Sequence, residues 1–374
     1  MDFHSPKKRL AIFLPELLGG GAQRVMLNLA QGIAENGYSV DLIVSKAIGP
    51  YLAEVPKSIR LVNLKSSGVV ASLPALMSYL YKEKPEVLLS SLHANIIAVV
   101  AKMLLRFPGK VVVSQHDTIS LSSQMHKNVK GKLMPRLIKY FYPRADCIVA
   151  VSKGVADQLS KLTRIEHEKI HIIYNPIITP DIQEKMEEPI DHRWFKPGEP
   201  PVILGVGSLS TVKDFSSLIK AFDQVRKTRY VRLLILGEGS ERFKLEHLVK
   251  ELDLGKDVLL PGFLQNPYAY MRRCSLYVLS SKYEGLPTVL VEALYCGMPV
   301  ISTDCPNGPR EILADGKYGM LVPVGDIPSM VQAIQNALDG NTPAPTPDSW
   351  LRYKQDIVVK KYLGILFDGD PCNR

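Results

Sequence analysis

Thirteen short apolar runs, many of them separated by segments with helical spacing, constrain this 374-residue chain more than any other feature. They fall at residues 10–14, 39–44, 60–64, 87–90, 110–114, 147–151 and 171–174, then at 202–205, 232–236, 258–260, 276–279, 300–302 and 320–322. Strand-like runs alternating with helices of ten or more residues are the signature of parallel βαβ units. The runs form two series, and 374 residues exceed what one core usually holds, so the expectation is α/β with two domains.

Proline and charge mark the seams. Residues 176–200 carry Pro176, Pro180, Pro189, Pro197 and Pro200 while the periodicity fades, which predicts a linker with at most one short helix between domains at 1–175 and 201–345. Pro343, Pro345 and Pro347 precede a last amphipathic helix expected near 350–367, within a C-terminal segment 346–374. No apolar run reaches the roughly 18 residues of a membrane span, and the charged start, Met1 to Arg9, does not read as a signal peptide. Five scattered cysteines without a C-x-x-C pair suit a reducing, cytoplasmic compartment.

The formal charge of +9 is concentrated: residues 101–170 hold 13 Lys and Arg against five acids. Within them, 127–144 interleaves Lys127, Lys130, Lys132, Arg136, Lys139 and Arg144 with Leu133, Leu137, Ile138 and Phe141. That pattern suits either an anionic membrane surface, giving a peripheral location, or an ordinary solvated helix with a core face. No recognisable nucleic-acid motif accompanies it, so nucleic acid is not an expected partner.

The chemistry-bearing residues gather where runs end. Open α/β sheets bind ligands outside the carboxyl ends of their strands. There lie Gly19-Gly20-Gly21 with Arg24 after the first run, His93 and Asn95 after the fourth, and His116 with Asp117 after the fifth. In the second series the same places hold Gly205-Val206-Gly207-Ser208 through Lys213, Gly237-Glu238-Gly239, Phe263, and Pro306-Asn307-Gly308-Pro309-Arg310. Ser240 followed by acids predicts an N-capped helix over 243–252. Pro309 predicts a helix start whose N–H groups favour an anion, and Arg310 at that end opposes the helix dipole, which points to an anionic ligand or a buried acid partner. Glu284 and Glu292 bracket seven residues across a strand-end loop and the first turns of a helix, so both carboxylates can face one polar ligand; two solvated acids near a helix start remain the simpler alternative. Asp368-Gly369-Asp370 is a D-x-D in the expected frayed tail, away from any strand end, and no His/Cys cluster has zinc spacing, so no metal site is expected. A nicotinamide site fails because Arg24 stands where G-x-G-x-x-G needs its last glycine.

Taken in order, these elements resemble the retaining GT-B glycosyltransferases of family 4, the glycosyl transferases group 1, over about 9–367. The resemblance implies two doubly wound Rossmann-like domains facing a central cleft, the first binding acceptor, the second nucleotide sugar, with the last helix crossing back to the first. It implies Lys213, Glu284 and His116 as catalytic residues. Gly20, Gly21, Gly207, Ser208, Gly237, Gly239, Phe263, Glu292, Asn307, Gly308 and Arg310 would bind the donor, and His93, Asn95 and Arg24 the acceptor. Glu292 would hold the ribose, Glu284 the transferred sugar and Lys213 the diphosphate. It further implies a hexose or N-acetylhexosamine donor, UDP-linked by preference, a saccharide or lipid-linked acceptor in bacterial glycan assembly, and no cofactor or metal. Ser208 departs from the pattern, which has arginine there; Arg310 or Arg24 would have to compensate. A GDP-sugar transferase and a GT-B-fold UDP-sugar epimerase are the alternatives.

Overall fold

The computed structural model describes residues 8–116 and 129–368. Asp117, the side chains of 127–132 and the D-x-D residues 369–370 lie outside the described residues. The chain divides into two compact units, 1–177 with 353–374, and 178–352.

The first unit runs β1 (Arg9–Leu14), α1 (Gly21–Glu35), β2 (Ser39–Val44), β3 (Arg60–Asn63), α2 (Leu73–Glu83), β4 (Val87–Ser91), α3 (Ala94–Leu105), β5 (Lys110–Gln115), α4 (Val129–Phe141), β6 (Cys147–Ala150), α5 (Lys153–Thr163) and β7 (Ile170–Ile172). Its seven strands are parallel in the order β3-β2-β1-β4-β5-β6-β7. The order reverses between β1 and β4, which makes that pair the switch point where ligands bind in such sheets. β1 is apolar from Leu10 to Leu14 and β4 is buried throughout, because helices cover both faces of a parallel sheet. Helix α1 buries Val25, Met26, Leu29, Ala30 and Ile33, the three-and-four spacing of one helical face.

The second unit runs α6 (Ile182–Glu187), β8 (Val202–Val206), α7 (Phe215–Arg226), β9 (Arg232–Leu236), α8 (Arg242–Glu251), β10 (Val258–Gly262), α9 (Tyr268–Arg273), β11 (Leu276–Leu279), α10 (Thr288–Tyr295), β12 (Val300–Thr303), α11 (Pro309–Ile312), β13 (Met320–Val322), α12 (Ile327–Leu338) and α13 (Pro347–Trp350). Six parallel strands lie in the order β10-β9-β8-β11-β12-β13, with the switch point between β8 and β11. Phe215, Leu218, Ile219, Phe222 and Val225 of α7 fill the core over this sheet.

The expected linker at 176–200 does hold one short helix, α6, and its residues pack on the second unit: Asn266 Nδ2 donates to the Lys185 carbonyl at 2.8 Å, Arg273 Nη1 to that of Met186 at 3.2 Å, and buried Trp194 lies under the Arg232 guanidinium at 5.1 Å. Two expectations change. The last helix is not continuous over 350–367. It breaks after α13, Lys354 is extended, and α14 (Gln355–Phe367) begins anew as part of the first unit. There Gln355 Nε2 donates to the Asn28 carbonyl at 2.6 Å and Phe367 stacks on Tyr38 at 4.7 Å. Helix α8 starts at Arg242 with no side-chain cap, so Ser240 does not cap it. Among the described residues no helix is long and apolar enough to cross a membrane.

Candidate functional site

In the second unit the loops after β8 and β11 meet at the switch point. Ser280 Oγ donates to the Lys213 carbonyl at 2.7 Å, and the Lys282 amide to the Val212 carbonyl at 2.8 Å. The side chains close the same seam: Lys213 Nζ lies 2.5 Å from Glu284 Oε1, which also accepts from Ser281 Oγ at 2.6 Å. Both charged side chains are mostly buried, at 17% and 12% exposure, so the pair is only weakly screened by water. A third loop joins from β12. The Glu284 amide donates to the Pro306 carbonyl at 3.2 Å, and Thr303 Oγ1 to the Ser281 carbonyl at 2.6 Å. Gly308, at φ +80°, passes so close that a Cβ there would lie 2.5 Å from Pro287 Cδ. Asn307 beside it is also left-handed, at φ +64°.

Glu292 is buried on α10, where Tyr268 donates to its Oε1 at 3.4 Å. Tyr277 of β11 is fully buried beneath both carboxylates; burial, with the charges of Glu284 and Glu292, pushes its phenol well above the usual range. The charges of both glutamates of the spacing are thus felt at Tyr277.

The glycines of the second unit have a packing reason. A Cβ on Gly237 would lie 1.9 Å from the Gly207 carbonyl oxygen, and one on Gly239 2.3 Å from that of Leu209. The Leu209 amide donates to the Glu238 carbonyl at 2.8 Å, so the loops after β8 and β9 interlock through backbone. Ser208 is exposed, its hydroxyl 3.3 Å from that of Ser210. Phe263 is half exposed at the end of β10. Helix α11 is a single turn, and Arg310 beside its start is engaged: Nε donates to Asp304 at 3.1 Å, Nη2 also bonds Asp304, and Nη1 donates to Asp315 at 3.2 Å. These acid partners form an exposed cluster, not the buried pair that the sequence suggested.

In the first unit Gly20 caps α1, Gly21 begins it, and Tyr51 donates to the Gly19 carbonyl at 3.2 Å. Arg24 is held by both oxygens of Glu54 and lies over the Tyr51 ring at 4.0 Å. Arg24 and Arg310, the two arginines expected to compensate for Ser208, are each held in an ion pair. His93 is exposed at the head of α3.

Asn95 requires a correction. It is fully buried; Oδ1 accepts from Ser90 at 2.8 Å, and Nδ2 donates to the Ser114 carbonyl and to Tyr142 Oη, each at 2.9 Å. It ties α3 to β4, β5 and the turn after α4 and offers nothing to an acceptor. His116 is buried too, its Nε2 3.0 Å from Ser114 Oγ, and burial pushes its imidazole down to about 4, so the ring is neutral near pH 7.

Sequence reasoning missed Ser281, Tyr268, Ser114 and Tyr362. Ser114 carried a signal, since residues two apart in a strand share a face and His116 follows it. Tyr362, 3.3 Å from Ser114 Oγ and 248 residues along the chain, carried none.

Two doubly wound parallel units, the second carrying the Lys213–Glu284 pair at its switch point, match the GT-B class. Anabaena HepE, solved in complex with UDP, superposes with a TM-score of 0.77 at 18% identity, covering 97% of this chain and 100% of that one. WaaG, a glycosyltransferase involved in lipopolysaccharide biosynthesis, gives 0.73 at 18% identity over 96% and 100%. The family model Glycosyltransferase Family 4 matches residues 19–179, and Glycosyl transferases group 1 matches 186–355. An N-acetylgalactosamine-N,N'-diacetylbacillosaminyl-diphospho-undecaprenol 4-alpha-N-acetylgalactosaminyltransferase from Campylobacter jejuni is 31% identical over 353 residues, 89% of this chain and 90% of the relative. A lipopolysaccharide core biosynthesis glycosyltransferase from Rhizobium meliloti is 26% identical over 86% of this chain and 87% of that protein. The chain belongs to the family-4 glycosyltransferases.

Proposed function

We propose that the protein transfers a hexose or N-acetylhexosamine from a UDP-sugar to a lipid-linked saccharide with retention of anomeric configuration. The observation that carries this is the Lys213–Glu284 pair spanning the switch-point loops, with Glu292 buried on the helix that follows. A diphosphate arriving there competes with Glu284 for Lys213. The ammonium then stabilises the charge that grows on the leaving phosphate oxygen, where electrostatic catalysis acts. Glu284, released from the pair, accepts hydrogen bonds from hydroxyls of the transferred sugar, while Glu292 holds the ribose. The sugar–oxygen bond to the diphosphate breaks, the acceptor oxygen bonds to the same face, and the departing phosphate oxygen takes the acceptor proton. In this scheme Lys213 supplies the positive charge, so turnover persists in EDTA.

The donor assignment rests on the Asp304–Leu313 run and on UDP in the complex of Anabaena HepE. The acceptor assignment rests on the diphospho-undecaprenol saccharide named for the Campylobacter jejuni relative. The basic surface of α4, where Leu133 and Tyr140 are exposed beside Arg136 and Lys139, would bring the protein to the anionic membrane that carries such an acceptor.

A thermal-shift panel of UDP-, GDP- and ADP-sugars tests the donor: a UDP-sugar is expected to raise Tm, and stabilisation by a GDP-sugar alone would reassign it. Lys213→Ala is expected to lower kcat on the order of a hundredfold or more. Near-normal turnover in that variant removes the diphosphate role. Product NMR reads the anomeric configuration, and pelleting with anionic liposomes at low salt reads the membrane step.

A further inference from the structure

Glu284 is held by two donors of different kinds. Lys213 Nζ, from the loop after β8, lies 2.5 Å from its Oε1, and Ser281 Oγ, from the loop after β11, donates to the same oxygen at 2.6 Å. The lysine is a charged donor on a flexible stem, 17% exposed. The serine is a neutral donor with one proton, and it is fully buried. Its backbone is fixed as well: the Ser281 carbonyl accepts from Thr303 Oγ1 of β12 at 2.6 Å, and Thr303 is itself fully buried. Three residues on, the Glu284 amide donates to the Pro306 carbonyl at 3.2 Å. Residues 281–284 are therefore tied at both ends to β12 and the loop after it, and all of these groups belong to the second unit.

We propose that Ser281 is a positioning residue for Glu284, holding the carboxylate in place for the transferred sugar once the diphosphate of the donor has drawn Lys213 away. This role rests on the function proposed above and supplies what that scheme asks of Glu284. An ammonium follows charge, and a diphosphate carries more of it than one carboxylate, so the Lys213 contact is the one a substrate competes for. A buried neutral hydroxyl, aimed at Oε1 by a fixed backbone, is not drawn off in that way. Without the serine, a carboxylate that has lost Lys213 would turn more readily about its terminal torsion, which is intrinsically broad. Ordering it again when the sugar binds costs affinity. A hydroxyl bonded to a charged acceptor makes one of the stronger kinds of hydrogen bond, which suits it to that task. UDP alone presents no sugar to Glu284, so the serine should matter for the sugar nucleotide and not for UDP.

Titration calorimetry of wild type and variants with UDP, UDP-galactose and UDP-N-acetylgalactosamine tests this. Ser281→Ala is expected to bind UDP as wild type does, and to bind the sugar nucleotide that wild type accepts about tenfold more weakly or worse. Unchanged affinity for both ligands overturns the proposal. So does a parallel loss for UDP and sugar nucleotide, which a loop merely unsettled by the substitution would give. Ser281→Cys keeps the size of the side chain but supplies only a weak donor, so it should behave as Ser281→Ala does; recovery there would assign the serine to packing and overturn the role. In a Glu284→Ala background, Ser281→Ala should cost nothing further, and a loss that persists would show that the serine acts elsewhere. Wild type that binds none of the sugar nucleotides defeats the functional reading, and the role of Ser281 with it. Wild type that binds one of them while Ser281→Ala binds it equally well defeats the role of the serine alone.

Discussion

His116 and Asn95 occupy comparable places after neighbouring strands, yet burial gives them different physics. The His116 imidazole is held down to about 4, whereas an unfolded chain titrates it near 6.5. Below pH 6.5 the unfolded state binds a proton that the folded state refuses until about pH 4. This residue therefore costs stability as pH falls through that window and nothing above it. At pH 5 the loss is about 2 kcal/mol. Urea unfolding at pH 7 and pH 5 is expected to show wild type losing about that much more than His116→Gln; equal losses would place the imidazole in a solvated setting. Asn95 carries no charge but completes bonds to Ser90, Ser114 and Tyr142. Asn95→Ala strands these partners and should cost about 3 kcal/mol in urea unfolding, with KM for either substrate little changed. Position after a strand end was legible in the sequence for both residues. Inward orientation was not, because it depends on tertiary partners such as Tyr142, 47 residues along the chain from Asn95.

At the scale of elements, the strands were readable because both faces of a parallel sheet are covered and each strand becomes an apolar run. Helix ends were less readable. The amphipathic pattern continues through Trp350 to Phe367, but Lys354 is extended and Ile177 pairs its amide with the Tyr353 carbonyl at 2.9 Å, a tertiary contact no local spacing announces. In the candidate site the sequence revealed the two-glutamate spacing and Lys213, but not that three loops are stitched into one body. Gly308 tests that stitching. It combines φ +80° with a Cβ position 2.5 Å from Pro287 Cδ, whereas Gly340, at φ +79°, has open space around its Cβ position. Gly340→Ala should cost about 1 kcal/mol, the conformational strain alone. Gly308→Ala should cost about 3 kcal/mol, since overpacking adds to the strain, and should also raise KM for the donor as the Glu284 loop shifts. Equal costs at the two positions, with unchanged kinetics, would mean the β12 loop does not brace Glu284.

For the whole molecule, the decisive fact is that the first unit is discontinuous in sequence. Helix α14 contributes Val358, Val359, Tyr362, Ile365 and Leu366 to the core formed by β1, β2, β4 and α1. Gly32 in α1 marks the closeness of that packing, since a Cβ there would meet Val359 Cγ2 at 2.6 Å. Five such side chains represent on the order of 10 kcal/mol of burial, against a net stability of about 5–15 kcal/mol for an ordinary domain. The second unit closes its own core with α7, α8 and α12, and among the described residues none beyond Arg352 belongs to that core. A chain ending at residue 352 should therefore lose the first unit and keep the second. Hydrogen exchange followed by mass spectrometry is expected to show peptides from β1, β4 and α1 exchanging fully, while those from β8, β9 and β11 remain protected. In the proposed assignment the diphosphate site resides in the second unit, so the truncated protein should still be stabilised by UDP while turnover is lost. Protection of β1 and β4 without α14 would show that the seven-stranded sheet closes its core unaided and that the C-terminal helix is not needed for the fold of the first unit.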